Sequence, residues 1–175
     1  MASIVLRPVP ENERAEFEKH FQDYLHELAL INGMRPDRRG LFEYGLLDFY
    51  WLDERFMPFF IMSGGARSGL LLLRELSAHE SSLRRRSLQV AEITVFDEFR
   101  RRGLAREAMR TAAAIAKARG LPLTWSAYIK NKPAATLYAA LLEEFHATGQ
   151  WQAERTSGID QMGIARYYYV MTPII

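Results

Sequence analysis

The sequence predicts a mixed α/β fold, a sheet with helices packed on its faces, and three observations carry that prediction. Segments with the alternation of strands follow one another with segments of helical period along the whole chain. Two strand-like runs, 58–63 and 68–76, flank Gly64-Gly65 and read as a hairpin. Two junctions, around 96–104 and 129–133, pass from a strand straight into a helix. At 175 residues the chain can bury its own core, and 49% hydrophobic with 25% charged residues excludes a disordered chain. The whole of 1–175 reads as a single domain, without repeat, low-complexity tract or linker.

In chain order, 3–9 is a short first strand. Pro10 then opens a segment in which Phe17, Phe21, Tyr24, Leu25 and Leu28 recur at helical spacing, an amphipathic helix that stops near Asn32-Gly33. Residues 34–40 form a basic loop, and 41–53 mix aromatics and acids with no period that assigns an element. After the hairpin, 77–87 is a polar surface loop ending in Arg84-Arg85-Arg86. Residues 88–96 are a strand whose apolar phase changes: Leu88 and Val90 share one phase, Ile93 and Val95 the other. Either a β-bulge near Ala91-Glu92 shifts the phase or the strand is buried on both faces. Helix 103–119 follows, with Leu104, Ala108, Ala112 and Ile115 on one stripe and Gly120 as its stop. Strand 123–129 leads into helix 133–145, with Pro133 in the first turn. Two further strands, 150–154 and 166–171, complete the chain.

Composition excludes several functional classes. The chain has no cysteine, so disulfides, thiolate zinc sites, iron–sulfur clusters and a cysteine nucleophile are out. His20, His26, His79 and His146 show no metal-ligand spacing, and no metal is expected. No basic start leads into a long apolar run and no run nears the roughly 20 residues of a membrane helix, so a cytoplasmic protein with no membrane partner is expected. The net charge of +2 hides a segregation. Residues 84–110 hold eight arginines against four acids, a net +4, which leaves −2 for the rest.

The centre of that basic band is Val95-Phe96-Asp97-Glu98-Phe99-Arg100-Arg101-Arg102-Gly103-Leu104-Ala105-Arg106. The first amides of a helix lack intrahelical partners, and the dipole places about half a positive charge there, so an anion is favoured. Gly103 lets the backbone approach a ligand, and Ala105 leaves room in the first turn. The stretch is either a phosphate cradle, suited to a pyrophosphate, or a solvated arginine run at an ordinary helix start.

Arg100-x-x-Gly103-x-Ala105 matches the Arg/Gln-x-x-Gly-x-Gly/Ala signature of the GNAT superfamily of acyl-CoA-dependent N-acyltransferases. Downstream, Asn131-x-x-Ala134-x-x-Leu137-Tyr138 resembles the second motif of that family, also at a strand-to-helix junction. The resemblance is close over 88–145. It implies a mainly antiparallel sheet with a splayed central parallel strand pair and helices on both faces, and acetyl-CoA as cosubstrate. It implies that Arg100 and the backbone amides of Arg101, Arg102, Gly103, Leu104, Ala105 and Arg106 hold the pyrophosphate. Ile93 and Val95 would lie beside the thioester, with the Val95 amide polarising its carbonyl. Asn131 would contact the pantetheine or orient the turn, unless it only caps the following helix. Two departures stand out: Asp97 replaces a common proline, and Leu142-Glu143-Glu144-Phe145 stands where a Lys-x-Gly-Phe ending is usual, so the last helix should end differently.

The reaction implied is direct attack of an amine on acetyl-CoA. A lysine-like amine has a pKa of about 10.4, so on the order of one molecule in a thousand is neutral at pH 7 and a base is needed. Glu92, on the strand facing the expected slot, is the leading base, directly or through water; otherwise it is a bulge-satisfying or ion-paired carboxylate. Tyr138 matches the family's general acid, where a tyrosine on a helix would otherwise be a core aromatic. Glu43, Tyr44 and Asp48 lie in a run of acids and aromatics that would suit a cationic acceptor through charge pairing and cation–π contact, or else divide between core and solvated face. The acceptor would be a small-molecule or protein amine, with no nucleic acid as partner and a homodimer as one option. The alternative is a non-catalytic acyl-CoA-binding or sensor module of the same fold, which would retain the phosphate turn and dispense with the acid.

Overall fold

In the computed structural model, which describes residues 3–174, the elements are β1 (Val5–Pro8), α1 (Arg14–Asn32), α2 (Phe49–Leu52), β2 (Phe56–Ser63), β3 (Ala66–Leu76), β4 (Ser87–Val95), α3 (Leu104–Ala118), β5 (Leu123–Tyr128), α4 (Lys132–Ala147), β6 (Trp151–Ile159) and β7 (Ala165–Pro173). The strands make a seven-stranded sheet in the order β1-β2-β3-β4-β5-β7-β6. Pairs β1–β2, β5–β7 and β6–β7 are antiparallel, whereas β4–β5 is parallel, registered at Leu88 with Leu123 and Gln89 with Thr124. The chain divides into two compact units, Met1–Leu73 with Glu92–Ala108 and Arg74–Ala91 with Met109–Ile175.

In the first unit, α1 buries Phe17, Phe21, Leu25 and Leu28 of the stripe its sequence predicts, while Tyr24 is half-buried. A single turn of 3-10 helix, Glu11–Glu13, precedes it, and Gly33 ends it in the left-handed conformation with its N–H on the Ala29 carbonyl at 2.9 Å. Phe17 meets Trp51 and Phe60 edge-on at 5.6 and 5.7 Å. Each such buried ring stabilises the fold by about 1.5–3 kcal/mol. The unassigned segment 41–53 contains α2, one turn formed because Tyr50 packs edge-on against Phe56 and Trp51 donates to the Val9 carbonyl. The hairpin is as expected but two residues longer on each strand's N-terminal side, with Gly64 and Gly65 both at positive φ, 57° and 81°.

Gly69 on β3 has a role the sequence does not announce. A Cβ there would lie 2.3 Å from the Thr94 carbonyl oxygen and 3.1 Å from the Val95 Cα, so β3 and the end of β4 approach as only glycine allows. Gly69→Ala is expected to destabilise the protein by about 2–3 kcal/mol, read as a lower denaturant midpoint at unchanged slope.

Beside β1 and α1, Arg7 binds Glu13 through two bonds of 2.8 and 2.7 Å, and Arg67 binds Glu13 and Glu16 at 2.6 and 2.5 Å. The hydrogen bonds from Arg7, aided by Arg67, hold the Glu13 carboxyl down to about 2, from an ordinary 4.5. A depressed carboxylate stabilises the folded state above its unfolded pKa and loses that contribution as pH falls towards the folded one. The melting temperature should therefore fall between pH 4.5 and about 2, and less steeply in Glu13→Gln.

In the second unit, Ser81 and Ser87 are buried and joined through their hydroxyls at 2.9 Å. This corrects the reading of 77–87 as a surface loop throughout: Ser87 already belongs to β4. Burial along β4 changes phase between Val90 and Val95, as the sequence pattern does. Met109, Ala112, Ala113 and Ala116 of α3 are buried, and Gly120 at φ 64° follows its end. Trp125 of β5 stacks on Tyr169 of β7 at 5.3 Å, while Phe145 of α4 meets Trp151 of β6 at 6.2 Å. Helix α4 runs to Ala147, past the expected Phe145, before Gly149 at φ 67°. Strand β6 is longer than expected because it is a mostly exposed edge strand whose polar residues lack apolar alternation, and β7 is longer because it pairs with β6 along its whole length, from Ala165 to Pro173.

Candidate active site

Between β4 and α3 the chain makes a 3-10 turn, Asp97–Phe99, absent from the sequence prediction, in which Phe99 N–H bonds the Phe96 carbonyl and Arg100 N–H the Asp97 carbonyl. Arg101 and Gly103 then take positive φ, 60° and 80°. For an arginine this costs of order 1–3 kcal/mol, strain of the kind that clusters at ligand-binding turns. The Glu107 N–H donates to the Gly103 carbonyl at 3.1 Å, so the amides of Leu104, Ala105 and Arg106 come before that first full helical bond. Leu104 is buried and anchors the helix start, while Arg101, Arg102 and Gly103 are exposed and Ala105 and Arg106 half-buried. A Cβ on Gly103 would meet nothing within 4 Å, so the space on that side of the turn is open. These groups fit a phosphate.

The arginines divide their work. The Arg100 Nε donates to the Val95 carbonyl at 2.8 Å, and its Nη atoms pair with Glu27 at 2.6 Å and Asp97 at 2.7 Å. Arg102 lies over the Phe99 ring and donates to the Glu98 carbonyl at 2.7 Å. The exposed Arg101 guanidinium has no partner among the described residues.

On β4, Glu92 and Ile93 are half-buried and Val95 is buried. Glu92 accepts a hydrogen bond of 2.6 Å from the Tyr24 hydroxyl on α1. Just beyond, a cavity of about 350 Å³ is walled by His20, Asp23, Tyr24 and Glu27 of α1 and by Thr94, Phe96, Asp97, Glu98 and Arg100. His20 stacks on Phe96 at 4.5 Å. Arg100 pairs with both Glu27 and Asp97, one positive charge against two negative, and Asp23 and Glu98 form no ion pair among the described residues, so the cavity is negative. These α1 residues were missed in the sequence, although 20, 23, 24 and 27 share one helix face.

In the second unit, Asn131 caps α4, its Oδ1 accepting from Ala134 N–H at 3.3 Å. Tyr138 is buried, its ring edge-on to Trp125 at 6.2 Å and to Tyr169 at 5.7 Å. Burial raises the Tyr169 phenol above its ordinary value. Of the expected acceptor contacts, which lie in the first unit, Glu43 is exposed, Tyr44 packs edge-on against Phe21 at 5.1 Å, and the exposed Asp48 pairs with Arg14. None of the three lines the cavity beside β4. Among the described residues, no cluster of three or more metal-ligating side chains occurs, and no helix is long and apolar enough to cross a membrane.

A mostly antiparallel sheet with one parallel pair, whose first strand β4 runs through a strained turn into α3, is the arrangement of the GNAT fold. The chain belongs to the acetyltransferase (GNAT) family, whose family model matches residues 12–142. Among solved structures it resembles Arabidopsis thaliana NAA60 in complex with acetyl-CoA, at 14% identity and a TM-score of 0.64, covering 96% of this chain and 97% of that one. An acetyltransferase from Thermus thermophilus is 20% identical, with a TM-score of 0.61 and 99% and 100% covered. Spermidine N-acetyltransferase from Vibrio cholerae is 15% identical, with a TM-score of 0.58 and 97% and 93% covered. At these identities the likeness is one of fold. No curated protein matches the chain by sequence.

Proposed function

We propose that residues 1–175 act as one acyltransferase domain that moves an acetyl group from acetyl-CoA to an amine by direct attack. The observation that carries this reading is the open, strained turn with Leu104, Ala105 and Arg106 amides at its helix start, directly after a strand that bears Glu92. The turn receives the pyrophosphate on its amides and the Arg101 charge. Arg100, bound to Val95, Glu27 and Asp97, acts by shaping the turn. Ile93 and Val95 flank the thioester, and Asn131 fixes the start of α4 beside the pantetheine. As the amine nitrogen bonds the acetyl carbon and the carbon–sulfur bond breaks, Glu92 takes the amine proton and Tyr138 gives one to the departing sulfur.

The negative cavity on the α1 side of β4 favours a cationic acceptor. Solved neighbours include a spermidine N-acetyltransferase and a ribosomal-protein-S18-alanine N-acetyltransferase, so small and protein amines both lie within the reach of the fold. Glu43, Tyr44 and Asp48 are the proposed outer contacts. Glu43→Gln should raise KM for a cationic acceptor roughly two- to fivefold, the worth of an exposed charge pair, and leave KM for acetyl-CoA unchanged. Equal effects on both constants would count against that assignment. The base is tested by Glu92→Gln, which is expected to lower kcat about a hundredfold without weakening acetyl-CoA binding in calorimetry.

A further inference from the structure

We propose that Tyr24 is a positioning residue for Glu92, acting through the hydrogen bond that joins α1 to β4. The proposal rests on the reading of Glu92 as the base. The Tyr24 hydroxyl donates to Glu92 Oε2 at 2.6 Å, the length of a charge-assisted bond from a hydroxyl to an ionised carboxylate. A phenol with an ordinary pKa of about 10 stays protonated at neutral pH and serves the carboxylate only as a donor. The bond fixes the carboxylate's orientation.

A neutral donor also suits the charge of the adjoining cavity, which Tyr24 lines. Asp23 and Glu27 lie on the same face of α1 as Tyr24, and Asp97 and Glu98 close the cavity from the turn, with His20 and Arg100 as its remaining titratable or charged walls. Arg100 is already committed to Glu27 and Asp97. A neutral donor such as the Tyr24 hydroxyl holds the carboxylate without adding a cation that would repel a positively charged acceptor. The ring is held in place to do so. It packs at 5.8 Å against Phe21, which is itself buried beside Phe17. One turn further along α1, the Glu27–Arg100 pair ties the helix to the end of β4.

Tyr24→Phe removes the hydroxyl and retains the ring. In the intact protein it is expected to lower kcat about tenfold, with KM for acetyl-CoA unchanged. The same substitution made in Glu92→Gln is expected to lower kcat no further, because a residue acting through Glu92 has nothing left to position. If Glu92→Gln is impaired and Tyr24→Phe costs the same factor in both backgrounds, or nothing in either, the positioning role is overturned while the base stands. If Glu92→Gln is as active as the wild type, Glu92 is not the base and the role of Tyr24 falls with it.

Discussion

Tyr138→Phe is expected to lower kcat about tenfold or more while the affinity for acetyl-CoA stays as it is. The expectation follows from where the ring sits. Tyr138 is buried and meets Trp125 and Tyr169 through its ring edges, contacts that phenylalanine reproduces. What phenylalanine lacks is the proton. If that proton is given to the departing sulfur, its loss falls on the chemical step and appears in kcat, not in binding. A core role alone predicts the reverse pattern, with turnover intact. Steady-state kinetics with acetyl-CoA and an accepted amine, beside thermal unfolding of both proteins, separates the two.

Gly103→Glu is expected to weaken acetyl-CoA binding by more than about thirtyfold, near 2 kcal/mol, measured by calorimetry. Two effects act in the same direction. The residue has a φ of 80°, which a side chain adopts only with strain, and a glutamate would extend into the open side of the turn, where no protein atom lies within 4 Å of a Cβ. On the proposed reading, a carboxylate there would meet the same phosphates that the amides of Leu104, Ala105 and Arg106 would bind. Gly103→Ala carries the strain without the charge and should lose much less. Equal losses in the two variants would mean that backbone geometry, and not anion binding, is what the position serves.

The features legible in the sequence are local ones. The Gly103 turn, the Asn131 cap, the Gly64-Gly65 hairpin and the stripe of Phe17, Phe21, Leu25 and Leu28 each depend on residues within a few positions of one another, so their spacing states their structure. What escaped reading depends on partners far along the chain. Gly69 has an unremarkable backbone, and its necessity comes from Thr94 and Val95 across the sheet. Helix α2 is one turn long, too short to show a period, and exists because Tyr50 and Trp51 find Phe56 and Phe17. At the site, the motif names Arg100 as a phosphate contact, but only the fold brings it to Glu27, 73 residues away. Likewise Tyr24 reads as one more apolar position of an amphipathic helix until β4 places Glu92 against its hydroxyl, 68 residues on. The cavity's negative charge arises in the same way, from Asp23 on α1 and Glu98 on the turn, which the fold brings together from distant parts of the chain.

The catalytic claim is tested most directly by mixing the purified protein with acetyl-CoA and a panel of amines, diamines and short peptides with free amino termini, and following the release of coenzyme A thiol together with the N-acetylated product. The account predicts that at least one amine releases thiol in step with acetylated product, and that Glu92→Gln and Tyr138→Phe release it about tenfold more slowly or worse at unchanged acetyl-CoA affinity. Tight binding of acetyl-CoA with no thiol release to any amine in the panel would contradict it, and would make the chain a module that binds the acyl donor without transferring the acyl group.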